Sequence, residues 1–242
     1  MEDSLVIIPT FNEIENIEAI IKAVFALEKK FHVLIVDDSS PDGTADKVRE
    51  LQQQFPDRLF LEVRKEKSGL GTAYIHGFKW AIAHKYDFIF EMDADFSHRP
   101  DDLPRLYRAC VNGADVVVGS RYKKGVNVVN WPLYRMLLSY GASFYVKLIT
   151  GMKVHDPTAG FVCYRRKVLE TIDLDAVKFV GYAFQIEMKF RAYLKKFKIE
   201  EISIIFTDRI KGKSKMSSSI VGEAIFGVLK MKLSSIFQRH KF

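Results

Sequence analysis

Residues 88–98 read Phe-Ile-Phe-Glu-Met-Asp-Ala-Asp-Phe-Ser-His. The apolar run at the start is too short for a buried helix and has the length of a strand, and it ends abruptly in two carboxylates. Four similar runs occur, at 4–9 (SLVIIP), 32–37 (HVLIVD), 59–63 (LFLEV) and 116–119 (VVVG). Between them, residues 14–26, 44–54, 72–84 and 103–112 place apolar side chains three and four apart, the helical period. A parallel strand pair needs a crossover of about a dozen residues, so this alternation predicts a mostly parallel central sheet with helices on both faces, an α/β fold. The second half is less regular, with expected helices at 132–149 and 184–195 and strands at 161–165 and 202–206. A polar stretch at 211–219 (KGKSKMSSS) reads as a loop before a last helix at 220–237. No internal repeat, low-complexity segment or interdomain linker divides the chain.

The chain of 242 residues is 48% apolar and 28% charged, which is globular and excludes both disorder and a polytopic membrane protein. Its net charge of +7 is concentrated at the end: residues 201–242 hold 8 basic and 3 acidic side chains. With no recognised nucleic-acid motif, this distribution gives no reason to expect a nucleic-acid partner. Cys110 and Cys163 are distant in sequence and have neither disulfide-framework nor zinc spacing, so a reducing compartment is expected. The Met-Glu-Asp start lacks the features of a signal peptide, and no apolar run reaches membrane-spanning length. The expected location is cytoplasmic.

In an open parallel sheet, ligands bind beyond the carboxyl ends of the strands. Here those ends are acidic: Glu13 after the first strand, Asp37 and Asp38 after the second, Asp93 and Asp95 after the fourth. Carboxylates gathered on one edge repel unless a cation lies among them. In an extended chain Asp93 and Asp95 point the same way, so both can face Mg²⁺ or Mn²⁺. The Asp173-Leu174-Asp175 triplet has the same spacing but no buried strand before it, and the Asp37-Asp38 stretch is also a good turn and helix-cap sequence. Ser68-Gly69-Leu70-Gly71-Thr72 lacks the endings of a phosphate-cradling loop and reads as a helix entry. Arg121 follows the fifth strand, and Arg135 and Ser139 lie i, i+4 on one face of the next helix, a set suited to a phosphate monoester.

Taken in order, the stretches at 8–13 (IPTFNE), 36–44 (VDDSSPDGT), 69–74 (GLGTAY), 92–98 (MDADFSH), 119–122 (GSRY) and 181–188 (GYAFQIEM) resemble the family 2 glycosyltransferases of the GT-A fold. Within them the sequence resembles the dolichol-phosphate and polyprenol-phosphate mannosyltransferases. The resemblance runs from about residue 4 to residue 215 and implies a catalytic domain over 1–215, with 216–242 as a C-terminal appendage. It implies that Pro9, Phe11, Glu13, Val36 and Asp38 line the nucleotide pocket, with Phe11 standing where many members have Tyr. Asp93 and Asp95 would hold the metal on the donor diphosphate, and Ala94 would offer backbone contact. Ser97 stands where some relatives have Gln as a further ligand. Arg121, Arg135 and Ser139 would take the acceptor phosphate, Arg121 would also contact the sugar nucleotide, Arg209 and Lys215 would close on the donor, and Asp93, Asp95, Arg121 and Arg209 would be the catalytic set.

The implied reaction is inverting transfer of mannose from GDP-mannose to a polyprenyl phosphate. A UDP-glucose or other donor, a non-lipid acceptor, or a catalytically inactive scaffold are the alternatives. The last helix carries Val221, Ile225, Leu229, Leu233 and Ile236 on one face, with Lys230, Lys232, Arg239 and Lys241 near its end. That pattern suits peripheral attachment at the cytoplasmic face of a membrane, and equally packing on the protein's own core or on a second copy. Many relatives carry transmembrane segments after the catalytic domain. With none in this chain, attachment would be peripheral or supplied by an anchoring partner.

Overall fold

A computed structural model describes residues 3–208 and 218–237. Strands β1 (Ser4–Thr10), β2 (His32–Asp37), β3 (Leu59–Val63), β4 (Phe88–Glu91) and β5 (Val116–Ser120) alternate with helices α1 (Ile17–Phe25), α2 (Thr44–Gln54), α3 (Leu70–Ala83) and α4 (Leu103–Val111). There follow β6 (Val128–Val129), α5 (Leu133–Thr150), β7 (Val162–Arg165), α6 (Arg166–Thr171), α7 (Tyr182–Leu194), β8 (Ile199–Ser203), β9 (Phe206–Thr207) and α8 (Ser218–Phe237). Seven strands form one sheet in the order β3-β2-β1-β4-β7-β5-β8, while β6 and β9 pair separately. All pairings in the large sheet are parallel except those of β7, which runs antiparallel between β4 and β5.

Side-chain alternation along the strands explains the two-sided cover. Val6, Ile8, Val33, Ile35 and Phe90 point to one face and pack on α1, α2 and α4. Leu5, Ile7, Leu34, Val36 and Ile89 point to the other and pack on α3, α6 and α7. Two glycines permit close approach: a Cβ on Gly77 would sit 2.7 Å from Ile7, and one on Gly71 would sit 2.8 Å from Phe184 and from the Phe179 carbonyl. The Gly-Leu-Gly stretch is therefore a helix entry that lets α3 meet α7, with Gly69 as the N-cap at φ 102°. The thiols of Cys110 and Cys163, on α4 and β7, meet within the core at 3.4 Å.

A third layer, α5 with α8, packs on α7 through Val146, Ile186, Phe190, Val228 and Met231. Most of α5 faces outward, however: Leu133, Tyr134, Leu137, Leu138, Tyr140, Phe144 and Leu148 are 53% to 71% exposed. On α8, Phe226, Leu229, Leu233 and Ile236 are exposed as well. The expected apolar stripe of the last helix thus points away from the core at Leu229, Leu233 and Ile236, while Val228 and Met231 on another face make the packing contacts. Among the described residues, no helix is long and apolar enough to cross a membrane.

Several expected boundaries move. The strand expected at 202–206 is β8 at Ile199–Ser203, a break, and then β9. Its Glu200 and Glu201 hid the strand's start, because Glu201 is buried for hydrogen bonding rather than for apolar packing. The first helix begins at Ile17 rather than 14, because Glu13 and Asn16 form a turn ahead of it. Of the polar stretch at 211–219, residues 218–219 already belong to α8 and the rest lies outside the described residues.

Candidate active site

The carboxyl ends of β1, β2 and β4 lie side by side, because Pro9 is in register with Val36 and Ile7 with Glu91. Val36 is buried, Pro9, Phe11 and Glu13 are half-buried, and the chain turns sharply after each strand, with Asn12 and Ser39 at φ 59° and 52°. Glu13 accepts from Asn16 Nδ2 at 3.0 Å, and the Lys67 ammonium lies 4.2 Å from the centre of the Phe11 ring. Asp37 accepts from Thr10 Oγ1 at 3.0 Å and from Ser40 N and Oγ at 2.9 and 2.5 Å, so it is a turn residue. Asp38 is gripped bidentately by Arg64, whose Nε and Nη2 lie 2.6 and 2.7 Å from its oxygens. Arg64 follows β3 directly, and the strand-end rule that selected the carboxylates extends to it.

Beyond β4, Ala94 is buried between Asp93, whose side chain is 38% exposed, and the nearly buried Asp95. Phe96 adopts φ 60°, unusual for a bulky side chain, and this brings Ser97 back so that its N and Oγ donate to Asp95 Oδ1 at 3.1 and 2.5 Å. Ser97 therefore orients Asp95. The Asp93 N–H donates to His98 Nδ1 at 3.3 Å, and burial lowers the His98 pKa to about 4, so the ring is neutral. Among the described residues, no cluster of three or more carboxylate, His or Cys side chains could hold a metal. The donor set present, two carboxylates on one turn with one half-exposed, is hard oxygen chemistry. It fits Mg²⁺ or Mn²⁺, ions that take their remaining ligands from water and substrate phosphates.

Beneath this turn, Glu91 is fully buried, and burial pushes its pKa up to about 8, against the pull of Lys189 and Gln185. Lys189, also fully buried, donates to the Ala159 carbonyl at 2.6 Å and to Gln185 Oε1 at 3.1 Å, and burial lowers its pKa to about 8. Glu187 of the same helix accepts from Lys178 N and Phe179 N at 3.0 and 3.1 Å and from Arg191 at 2.7 Å. The Gln-Ile-Glu-Met stretch thus braces the floor of the site.

The far side of the crevice is cationic. Arg121 follows β5 and is held by the fully buried Asp156, with Nε and Nη2 at 2.7 and 2.6 Å, while Nη2 also reaches Thr158 Oγ1 at 2.7 Å. Burial alone would raise the Asp156 carboxyl, but the adjacent Arg121 outweighs it and holds the group below its usual range. Asp156 is fixed in turn, since its N–H donates to Glu201 Oε1 at 3.0 Å. The Arg121 guanidinium is boxed by Tyr122, Trp131 and Phe206, with ring centroids 5.2 to 5.6 Å away. Arg135 of α5 lies 4.3 Å from the Trp131 ring centre and pairs with Asp208 at 2.9 Å, while Ser139 accepts from Tyr122 OH at 2.7 Å. Arg121, Arg135 and Ser139 are therefore brought together around one aromatic patch. Arg209 and Lys215 lie outside the described residues.

Sequence reasoning passed over Arg64, Trp131, Asp156 and Glu201. Arg64 and Asp156 had a visible signal, the strand end in one case and an Asp-Pro-Thr turn in the other; Glu201 had none.

The family model of Glycosyl transferase family 2 matches residues 5–173. The chain is 48% identical over 225 residues to the polyprenol monophosphomannose synthase of Mycolicibacterium smegmatis, covering 93% of this chain and 85% of the relative. It is 44% identical over 231 residues to the undecaprenyl-phosphate mannosyltransferase of Micrococcus luteus, covering 96% and 94%. Among solved structures, the mannosyltransferase PcManGT of Pyrobaculum calidifontis, in complex with GDP-Man and Mn²⁺, shares the fold with a TM-score of 0.59 at 15% identity, over 97% of this chain and 74% of that one. The match over more than half the chain, together with two relatives well above 30% identity along nearly its whole length, makes this protein a member of glycosyl transferase family 2.

Proposed function

We propose that the protein transfers mannose from GDP-mannose to the phosphate of a polyprenyl lipid. What carries the reading is the near full-length identity to two bacterial enzymes whose names both specify a mannosyl group and a polyprenyl phosphate carrier. The crevice supports it, with hard oxygen donors on one side and two guanidinium groups on the other. Pro9, Phe11, Glu13, Val36 and Asp38 form the wall for the nucleotide. Asp93 and Asp95, with Ala94 between them, face the diphosphate, and Arg121 borders both phosphate positions. Arg209 and Lys215 complete the donor side on the strength of the family likeness. Residues 1–215 carry the transfer chemistry and 216–242 the C-terminal helix.

Asp93 and Asp95 would hold Mg²⁺ or Mn²⁺, which would supply Lewis-acid stabilisation of the charge on the departing diphosphate. The nucleophile is an acceptor phosphate oxygen. Its second pKa is about 6, so it is already largely ionised at neutral pH and needs no general base. Arg121, Arg135 and Ser139 position that oxygen against the anomeric carbon. The new carbon–oxygen bond forms as the bond to the diphosphate breaks, GDP leaves, and the configuration inverts.

The exposed apolar face of α5, joined by Phe226, Leu229, Leu233 and Ile236 of α8, supports peripheral attachment to the cytoplasmic face of a membrane, where such a lipid acceptor resides. Incubating the protein with radiolabelled sugar nucleotides, polyprenyl phosphate and either Mg²⁺, Mn²⁺ or EDTA tests the reading. Label from GDP-mannose should enter the organic phase only with a divalent ion. Preferential entry from a UDP-sugar, or equal entry in EDTA, would refute it.

A further inference from the structure

Two buried nitrogen donors without a partner among the described residues stand next to each other, Trp131 Nε1 and Arg135 Nε. Both belong to the cationic side of the crevice. The Trp131 ring is fixed by an edge contact to Phe206 (5.4 Å between centroids, 69°) and by the Arg135 guanidinium over its face, with Arg121 further out at 5.5 Å. Arg135 spends Nη1 on Asp208, which leaves Nε unsatisfied. An indole nitrogen can only donate, and a buried donor that has given up water is unfavourable until an acceptor reaches it. A patch that keeps two such donors beside two guanidinium groups is built for an anion with several acceptor oxygens, and phosphate fits that description.

We infer that Trp131 is a further binding group of the acceptor site, its indole N–H donating to one oxygen of the prenyl phosphate while Arg135 Nε donates to another. Nothing in the sequence singled out Trp131, because a tryptophan ahead of a helix ordinarily reads as packing. The inference rests on the proposed acceptor, and the shared chemistry, a phosphate oxygen, could also come from the donor diphosphate. The test therefore measures both.

Trp131→Phe keeps an aromatic ring against Phe206 and Arg135 and removes the N–H donor together with the second ring of the indole. Binding of a short, water-soluble prenyl phosphate and of GDP with Mg²⁺ is measured for wild type and variant by calorimetry, together with thermal stability. The expected result is about a tenfold or greater loss of prenyl phosphate affinity, as for a hydrogen bond to a charged group, with GDP affinity unchanged. The melting temperature should fall by no more than a few degrees, the effect of the smaller ring, because the donor removed has no partner among the described residues. Arg135→Lys, which keeps the charge beside Asp208 and loses the Nε donor, should show the same split, and Trp131→Leu covers the case of poor folding in the first variant. Equal prenyl phosphate binding by wild type and the Trp131 variant would overturn the role of Trp131, whatever Arg135→Lys shows. A loss confined to GDP would assign the indole to the donor and overturn it as well. Wild-type protein indifferent to prenyl phosphate would overturn the acceptor reading and this role with it.

Discussion

The two sides of the crevice solve the same problem in opposite ways. On one side, the ends of β1, β2 and β4 gather carboxylates; on the other, β5 and α5 present Arg121 and Arg135 against aromatic rings. Two phosphate-bearing substrates must be brought close together, and their charges repel. In the proposed reading the acidic side would meet one of them through a divalent ion, and the cationic side would meet the other by direct hydrogen bonds, with Arg121 bordering both. The guanidinium groups are not bare charges, since Arg121 is clasped by Asp156 and Arg135 by Asp208. Much of their charge is already balanced, and what they lend the phosphate is chiefly direction. The comparison teaches that the two sides differ in donor type, oxygen against nitrogen, more than in net charge, because each guanidinium is already paired with a carboxylate.

The largest way to break this arrangement is Asp156→Ala. Removing one partner of a buried pair costs about 3–5 kcal/mol, because the other charge is left buried alone. For a chain of this size that is a fall of roughly 10 °C in melting temperature, readable by differential scanning calorimetry. In the protein that remains folded, the loss of prenyl phosphate binding should exceed any loss of binding to GDP with Mg²⁺, because Arg121 borders both phosphate positions while Arg135 and Ser139 serve the acceptor alone. A smaller effect is expected at the exposed apolar face of α5, beside the cationic side. Leu137 is 60% exposed, so Leu137→Glu should leave stability intact while reducing co-sedimentation with anionic vesicles by roughly tenfold, the worth of one buried leucine plus a repelled charge. The smallest effect is expected beneath the acidic side. Burial keeps Glu91 protonated at neutral pH, so Glu91→Gln replaces one neutral group by another of the same shape and should shift the melting temperature by no more than about 2 °C. A collapse of that variant would mean that a charged Glu91 supports Asp93 from below.

How much of this was visible in the sequence differs between the same two sides. The strands ending in Asp38, Asp93 and Asp95 are short apolar runs broken by carboxylates, and both their fold and their candidate role follow from period and position. The helices α1 and α5 both read as helices, yet nothing in their spacing told which would be covered. Ile17, Ile20, Ile21 and Val24 of α1 are buried by the sheet, whereas Leu133, Leu137, Phe144 and Leu148 of α5 face out. Apolar spacing records that a face avoids water and not what covers it. The direction of β7 was equally hidden, because a buried strand looks alike parallel or antiparallel. Polar groups that act through long-range hydrogen bonds escaped for a related reason. Glu201 sits in a charged segment and works only because β8 brings it to His155 and Asp156, more than forty residues away in sequence. Gln185, Glu187, Lys189 and Arg191 are all buried on α7, where periodicity predicts a helix but cannot foresee ionic partners.

The division of labour is tested most directly by titrating GDP with Mn²⁺ into Asp95→Asn and Arg135→Ala proteins side by side. Asp95→Asn should weaken GDP binding by at least about tenfold, as expected for loss of a charged metal ligand, while Arg135→Ala leaves it within about twofold of wild type. Unchanged binding in Asp95→Asn, or an equal loss in both proteins, would contradict the account.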